Sequence, residues 1–319
     1  MAPGDDTVGP SDRSSEVGVG MTHPLTSAFL KVERARKHLK ELNQQIRGFV
    51  MVDPYRLTIE VDPDTGQQVV RFRTVGNRPI PLGFGLMAGD VIHNLRAALD
   101  HVVYQLAVAG GGDGEHSQFP IIEDSDDYRL KEKRLLEGVV EGQRAIIKGL
   151  QPYHVRAALN AGTHPESERD PLAINVYLMN LGRLDNIDKH RLLLPSDIMV
   201  PFRKPHFAGV TKAEGTHPAD WYRVKDGAEF FRITSIELPP DGSMADVQVN
   251  TDHSFTIGFG DPEWGPIGEP NDIWSDRTKG FVTTADLAIT LNTVERVVGM
   301  FNPYFEGLGP HDSPPEPNR

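Results

Sequence analysis

The sequence of 319 residues contains no cysteine. Disulfide bonds, thiolate nucleophiles and zinc sites built on cysteine are therefore excluded, and a metal site would need histidine and carboxylate ligands. The chain also has no apolar run of about 18 residues, the length that a membrane-spanning helix requires. It contains no HExxH pair, no GxSxG elbow and no phosphate-loop glycine pattern. These absences leave histidine and arginine as the side chains best suited to chemistry in this protein.

The two ends of the chain have little to bury. Residues 1–20 are rich in glycine, serine, aspartate and proline and are predicted to form a disordered tail, and residues 306–319 are predicted to form a polar tail. The N-terminal stretch has neither the basic nor the apolar segment of a secretory signal. The sequence therefore predicts a cytoplasmic protein with no membrane association.

Acidic residues outnumber basic ones, and the formal net charge is −12. Residues 239–319 contribute −9 and residues 1–20 contribute −3, so that residues 21–238 are neutral overall. An acidic protein binds polyanions poorly, but this argument applies only to the two ends. Lysine and arginine are concentrated between residues 31 and 40, which is typical of the solvated face of a helix. RNA therefore remains open as a partner.

The hydrophobic pattern predicts an α+β protein, made of a helical bundle with an inserted β-hairpin, an antiparallel β-rich region and a C-terminal helix. Apolar residues at steps of three and four predict helices over 27–49, 85–109, 126–150 and 172–194, with a short one near Tyr153. Alternating segments around an Asp-Pro-Asp-Thr-Gly turn predict the hairpin over 55–75. The expected division is a helical domain over 21–195, a β-rich region over 196–282, and a helix over 283–305, capped by Thr284, that packs on the bundle.

The predicted helix over 85–109 has an informative polar face. At 100° per residue, its apolar side chains fall on one side and its polar ones on the other. The polar face spans residues 90–104 and contains no lysine or glutamate, but Asp90, His93, Asn94, Arg96, Asp100, His101 and Tyr104. These side chains make directed hydrogen bonds, and histidine changes its protonation near neutral pH. We expect this face to meet a second helix, a subunit or a ligand.

A second polar segment lies within the predicted helix over 172–194. It carries Asp185, Asn186, Asp188 and His190 among apolar residues at helical spacing. If the two helices pack antiparallel, an aspartate or asparagine of one can orient a histidine of the other. The alternative is a buried structural network or a helix terminus whose last basic residues complement the helix dipole.

The segment NLRAALDHVVYQLA, over residues 94–107, resembles the motif of HEPN domains, in which an arginine precedes a histidine by a short spacing on a helix. The pieces GDVIHNLRAALDH, LQPY and LDNIDKHRLLL also resemble an uncharacterised group of bacterial proteins. The resemblance covers about residues 27–195. It implies a helical bundle, a homodimer, and a metal-independent endoribonuclease of the kind found in toxin and phage-defence systems.

In the reaction that the resemblance implies, a ribose 2′-hydroxyl attacks the adjacent phosphodiester. His101 would move the proton as general base or acid, and Arg96 would stabilise the negative charge on the phosphorane. Supporting roles fall to His93, Asn94, Asp100, Tyr104, Asp185, Asn186, Asp188 and His190, and no metal or other cofactor is required. Arg96 and His101 are five residues apart, about 140° around a helix, so a shared site needs a wide cleft or a second subunit.

Two other interpretations remain open. One is a noncatalytic binding or scaffold protein that uses the polar face over 90–104 as an interface. The other is a divalent-metal site built from histidine and aspartate, with His93, His101, Asp185, Asp188 and His190 as the available ligands. The binding protein and the nuclease predict different surroundings for Arg96 and His101. In a nuclease the two side chains share an open cleft, whereas in a binding protein each is satisfied by local partners.

Overall fold

The computed structural model describes residues 23–50, 55–74, 79–163, 170–190, 193–201, 203–217, 221–223, 226–250, 256–260 and 282–306. The predicted tail over 1–20 and residues 307–319 of the predicted polar tail lie outside these ranges. The helices are α1 (Thr26–Val50), α2 (Gly83–Ala109), α3 (Ser125–Leu135), α4 (Glu141–Gly149), α5 (Tyr153–Asn160), α6 (Pro171–His190) and α7 (Thr284–Gly299). The strands are β1 (Tyr55–Val61), β2 (Gln68–Thr74), β3 (Leu194–Pro201), β4 (His206–Ala208), β5 (Lys212–Thr216), β6 (Trp221–Arg223), β7 (Glu229–Glu237), β8 (Gln248–Asn250), β9 (Thr256–Gly260) and β10 (Val282–Thr283).

The helices form a bundle centred on α2. Helix α1 packs along α2, α6 and α7 also contact α2, and α7 contacts α1 and α6 as well. The amphipathic pattern explains the packing of α1, because its buried side chains recur at steps of three and four residues. They are Ala28, Val32, Ala35, Leu39, Leu42, Ile46 and Phe49. Together with the helical bundle, the antiparallel sheets confirm the α+β class that the sequence predicts.

The hairpin of β1 and β2 is paired in register from Tyr55 opposite Thr74 to Val61 opposite Gln68. Strand β2 also pairs antiparallel with β7, which gives a four-stranded sheet of order β1-β2-β7-β5. A second sheet has the order β10-β9-β3-β6, and β4 and β8 form a ribbon. The hairpin, which the sequence assigns to the helical domain, thus pairs with a strand of the β-rich region. One hydrophobic core continues from the helices into the sheets.

Three predicted helix boundaries differ from the structure. The helix expected over 126–150 is two helices, because Gly138 adopts a φ of +78° between α3 and α4. The helix expected over 172–194 ends at His190, and Leu194 already begins β3. The N-cap of α7 is Thr283 and not Thr284: its hydroxyl accepts from the N–H of Asp286, whose carboxylate accepts from the Thr283 N–H. Apolar spacing alone does not reveal where a helix stops.

Among the described helices, none combines the length and the apolar character that crossing a bilayer would require.

Helix α2 begins in close contact with the chain that leads into β3. A Cβ added at Gly85 would lie 1.8 Å from the carbonyl oxygen of Leu193, whereas one added at Gly83 would meet nothing within 4 Å. We expect Gly85→Ala to lower the free energy of unfolding by about 1–3 kcal/mol, because backbone must shift to admit the methyl group. Gly83→Ala, in the same helix, is the matched control and should cause no loss. Urea unfolding of the two variants measures the difference, and equal midpoints would contradict this packing.

Candidate functional site

The structure divides the polar face of α2 into an internal and an external part. Arg96 and Asn94 are buried, Asp100 and His101 are half-buried, and Asp90, His93 and Tyr104 are exposed. The amide of Asn94 donates to the carbonyl oxygen of Asp90 at 2.7 Å, one turn earlier in the same helix. The ring of Tyr104 lies against Gly114, where an added Cβ would come within 2.7 Å of it. Residues that share one helical arc thus face different surroundings.

Arg96 is 7% exposed, and its guanidinium is directed into the protein. Its Nη2 donates to the carbonyl oxygen of Phe119 at 2.7 Å, and its Nη1 lies 3.1 Å from Asp100 Oδ1, which makes an ion pair without a hydrogen bond. The same Asp100 oxygen accepts from the N–H of Phe119 at 2.9 Å. Arg96 and Asp100 therefore hold both backbone polar groups of Phe119 and fix the segment that follows α2.

Helix α6 completes this arrangement with a buried carboxylate. Oδ2 of Asp185 lies 3.8 Å from Nε of Arg96 and 2.7 Å from Nζ of Lys189. Burial raises the pKa of Asp100, and the nearby Asp185 carboxylate adds to the rise, while Arg96 opposes it. These four side chains, Arg96, Asp100, Asp185 and Lys189, are called the Arg96 cluster below. They join α2 to α6 by charge as well as by packing.

The other predicted residues of α6 do not converge on Arg96. The Asp188 carboxylate lies against Gly89 of α2, where an added Cβ would meet Oδ1 at 2.3 Å. Burial raises the pKa of Asp188, the Asp185 and Asp90 carboxylates add to the rise, and His93 opposes it. Asn186 and His190 are exposed. Asp188 and His93 thus interact electrostatically, and the expected orientation of a histidine by an aspartate of the other helix stays a prediction.

His101 faces away from the Arg96 cluster, toward α1. It lines a shallow surface depression of about 750 Å³ together with basic side chains of α1. This α1 cationic surface is defined by Lys31, Arg34, Arg36, Lys37, Lys40 and His101. Burial lowers the pKa of His101, and the Lys31 ammonium lowers it further, while Asp100 opposes the change. The lowered pKa favours the neutral imidazole, which is the form that can accept a proton.

The structure does not bring Arg96 and His101 into one cleft. The guanidinium is enclosed by Phe119, Asp100 and Asp185, and the imidazole lies on the α1 cationic surface. Within the described part of the chain, no group of three or more histidine, aspartate or glutamate side chains is arranged to hold a metal ion. The alternative metal set of His93, His101, Asp185, Asp188 and His190 is accordingly not assembled there.

Sequence reasoning missed two partners of the polar face. The first is the backbone of Phe119. Its role cannot be predicted from the residue type, because almost every residue presents the same N–H and C=O groups. The second is α1, whose basic run the sequence predicts only as a solvated face, although the run adjoins His101. A helical wheel shows which face of α1 and which face of α2 is buried. It does not show which neighbouring element each helix packs against.

We expect Arg96→Ala to lower the free energy of unfolding by about 3 kcal/mol, because its removal takes away the ion-pair partner of Asp100 and the donor to the Phe119 carbonyl oxygen. Arg96→Lys should recover only part of the loss, since an ammonium lacks the planar fork of donors. Arg34→Ala, at an exposed position, is the control and should change stability by less than about 0.5 kcal/mol. Chemical denaturation of the three variants gives the comparison. A stable Arg96→Ala protein would show that the cluster has no structural role.

The pKa of His101 should rise when the nearby ammonium is removed. Lys31→Ala takes away one of the two influences that lower the pKa, so the imidazole should take up its proton at higher pH than in the wild type. Lys40→Ala is the matched control, because Lys40 lines the same surface without being among the charges that act on His101. NMR titration of the ring protons, assigned with His101→Gln, measures both. Equal shifts in the two variants would contradict the placement of His101 beside Lys31.

Comparison with known proteins adds no relative. The chain matches no protein-family model, no curated protein and no solved structure. The resemblance to HEPN domains thus stays a prediction from the motif residues. The function has to be argued from the Arg96 cluster and the α1 cationic surface themselves.

Proposed function

We propose that this protein is a noncatalytic binding protein and that its interface is the exposed part of the α2 polar face with the adjoining α1 cationic surface. One observation carries the proposal: the guanidinium of Arg96 is enclosed and engaged by internal partners. Phosphoryl chemistry needs guanidinium donors that are free to contact the phosphate as its charge develops. Because Arg96 is buried, with Nη2 bonded to Phe119 and Nη1 facing Asp100, its donors cannot reach a phosphate outside the protein without disrupting the helix packing around them.

The outer part of the polar face is suited to binding. His93, Asp90 and Tyr104 are exposed on α2, and Tyr104 retains 46% of its accessible surface. Tyrosine and histidine combine an apolar ring with a polar atom, which makes them frequent contributors to interfaces. RNA and a second copy of the chain are the partners that we propose to test first. A cytoplasmic location remains the expectation from the sequence.

A HEPN-like metal-independent endoribonuclease of a toxin or phage-defence system is the second candidate. The observation in its favour is His101, which is half-buried on a cationic surface and has a lowered pKa. A neutral imidazole beside lysine and arginine side chains can accept the proton of a ribose hydroxyl. In this reaction the phosphate would be held by a basic residue of α1 or of a second subunit, since Arg96 is engaged elsewhere.

Incubation of the purified protein with mixed RNA, with and without a chelator, separates the two candidates. A noncatalytic binding protein leaves the RNA at full length in both conditions. A HEPN-like nuclease cleaves it in both, because its chemistry needs no metal.

The control for this assay is a pair of histidine variants. His101→Gln should abolish cleavage by a nuclease, while His154→Gln, at an exposed position on α5, should not. Cleavage that both variants retain comes from a contaminant. Chelator-resistant cleavage that only His101→Gln abolishes would overturn the noncatalytic proposal.

A further inference from the structure

Four cationic side chains form a row along α1, three of them exposed and the first, Lys31, half-buried. Lys31, Arg34, Lys37 and Lys40 follow one another at intervals of three residues, and none of them is ion-paired with an acidic side chain of the described residues. Arg36 differs, because it pairs with Glu33 on the same helix and with Glu295 on α7 at 2.8 Å. Glu33 lines the same surface but pairs with Arg36, so the four cations of the row have no acidic ion-pair partner among the described residues.

The direction of the row matters for what it can bind. Residues at intervals of three lie on a ridge inclined by about 45° to the helix axis. From Lys31 to Lys40 the row rises by about 14 Å and turns by about 180°. Arg34 and Lys37, about 60° apart around the helix, therefore face outward, while Lys31 and Lys40 lie on the two flanks, from which their long side chains can reach toward phosphates on either side of α1. His101 lies beside Lys31 at one end of the row and adds a ring N–H donor.

The surface lacks the features of a single-strand site. Proteins that bind single strands stack the bases on aromatic side chains. The described side chains that line the depression are charged, aliphatic or hydroxylic, apart from the ring of His101. The surface is also the outer side of a helix and not an enclosing channel. Such a surface can contact a phosphate backbone whose bases are already paired and stacked.

We infer that the α1 cationic surface binds the phosphodiester backbone of a double-helical nucleic acid without reading its sequence. The inference rests on the proposed function, because it gives the noncatalytic binding protein a partner class. The acidic residues of 239–319 leave the overall charge negative, so binding depends on this local row and not on the protein as a whole.

The test measures binding of the full chain to random-sequence duplex DNA, duplex RNA, single-stranded RNA and phosphatidylserine vesicles over a range of salt concentrations. Contacts to four phosphates predict a slope of about −3.6 for log K against log salt on duplex DNA. The variant Arg34→Gln/Lys37→Gln/Lys40→Gln should lose about tenfold or more in affinity at low salt and have a slope near −1. A preference for DNA or for RNA identifies the source of the duplex, and both results support the inference.

The matched control removes the same residue types elsewhere. Lys133→Gln/Arg134→Gln/Lys148→Gln changes the net charge equally at exposed positions of α3 and α4, and it should bind duplexes as the wild type does. The inference is overturned by no duplex binding, by equal losses in the two triple variants, by tighter binding of single-stranded RNA, or by binding to the vesicles alone. Cleavage of the bound RNA that needs His101 would instead contradict the noncatalytic function, so the two failures are distinguishable.

Discussion

The buried charge of Arg96 is the constraint on which the arrangement of this protein depends. An ionised guanidinium inside a protein is tolerated only when carboxylates and hydrogen-bond acceptors replace the water that it loses. Asp100 comes from the same helix, Asp185 from α6, and the acceptor of the hydrogen bond is the backbone of Phe119. Because these partners come from separate parts of the chain, satisfying one charge fixes α6 and the segment after α2. The same helix geometry turns His101 outward toward α1.

This division gives the polar face of α2 two roles. Its inner side stabilises the bundle through Arg96 and through Asp100, whose pKa burial has raised. Its outer side adjoins the α1 cationic surface, where His101 meets lysine and arginine side chains. The polar face of this helix is thus not one site but an internal cluster and an exposed surface. Charge is also unevenly distributed, because a protein of net charge −12 has a local cationic row on α1.

Much of the fold was predictable because its signals are local. The spacing of apolar residues gave the buried face of α1, and the alternation around a turn gave the hairpin. Two features were not predictable from local pattern. The break at Gly138 depends on its close approach to the end of α2, where an added Cβ would lie 2.7 Å from the carbonyl oxygen of Ala107. The pairing of β2 with β7 joins strands about 160 residues apart, and strand register over such a separation leaves no local signal.

For the candidate site, helix geometry predicted that Arg96 and His101 diverge, but not what each would meet. That depended on which elements pack beside α2. The most direct test of the account is a double-mutant cycle between Arg96→Met and Asp100→Asn, with the free energy of unfolding as the readout. The account predicts a coupling of about 1–3 kcal/mol, against less than about 0.5 kcal/mol for the exposed pair Arg129 and Asp126. A coupling near zero for Arg96 and Asp100 would contradict it, because the guanidinium would then be free for another role.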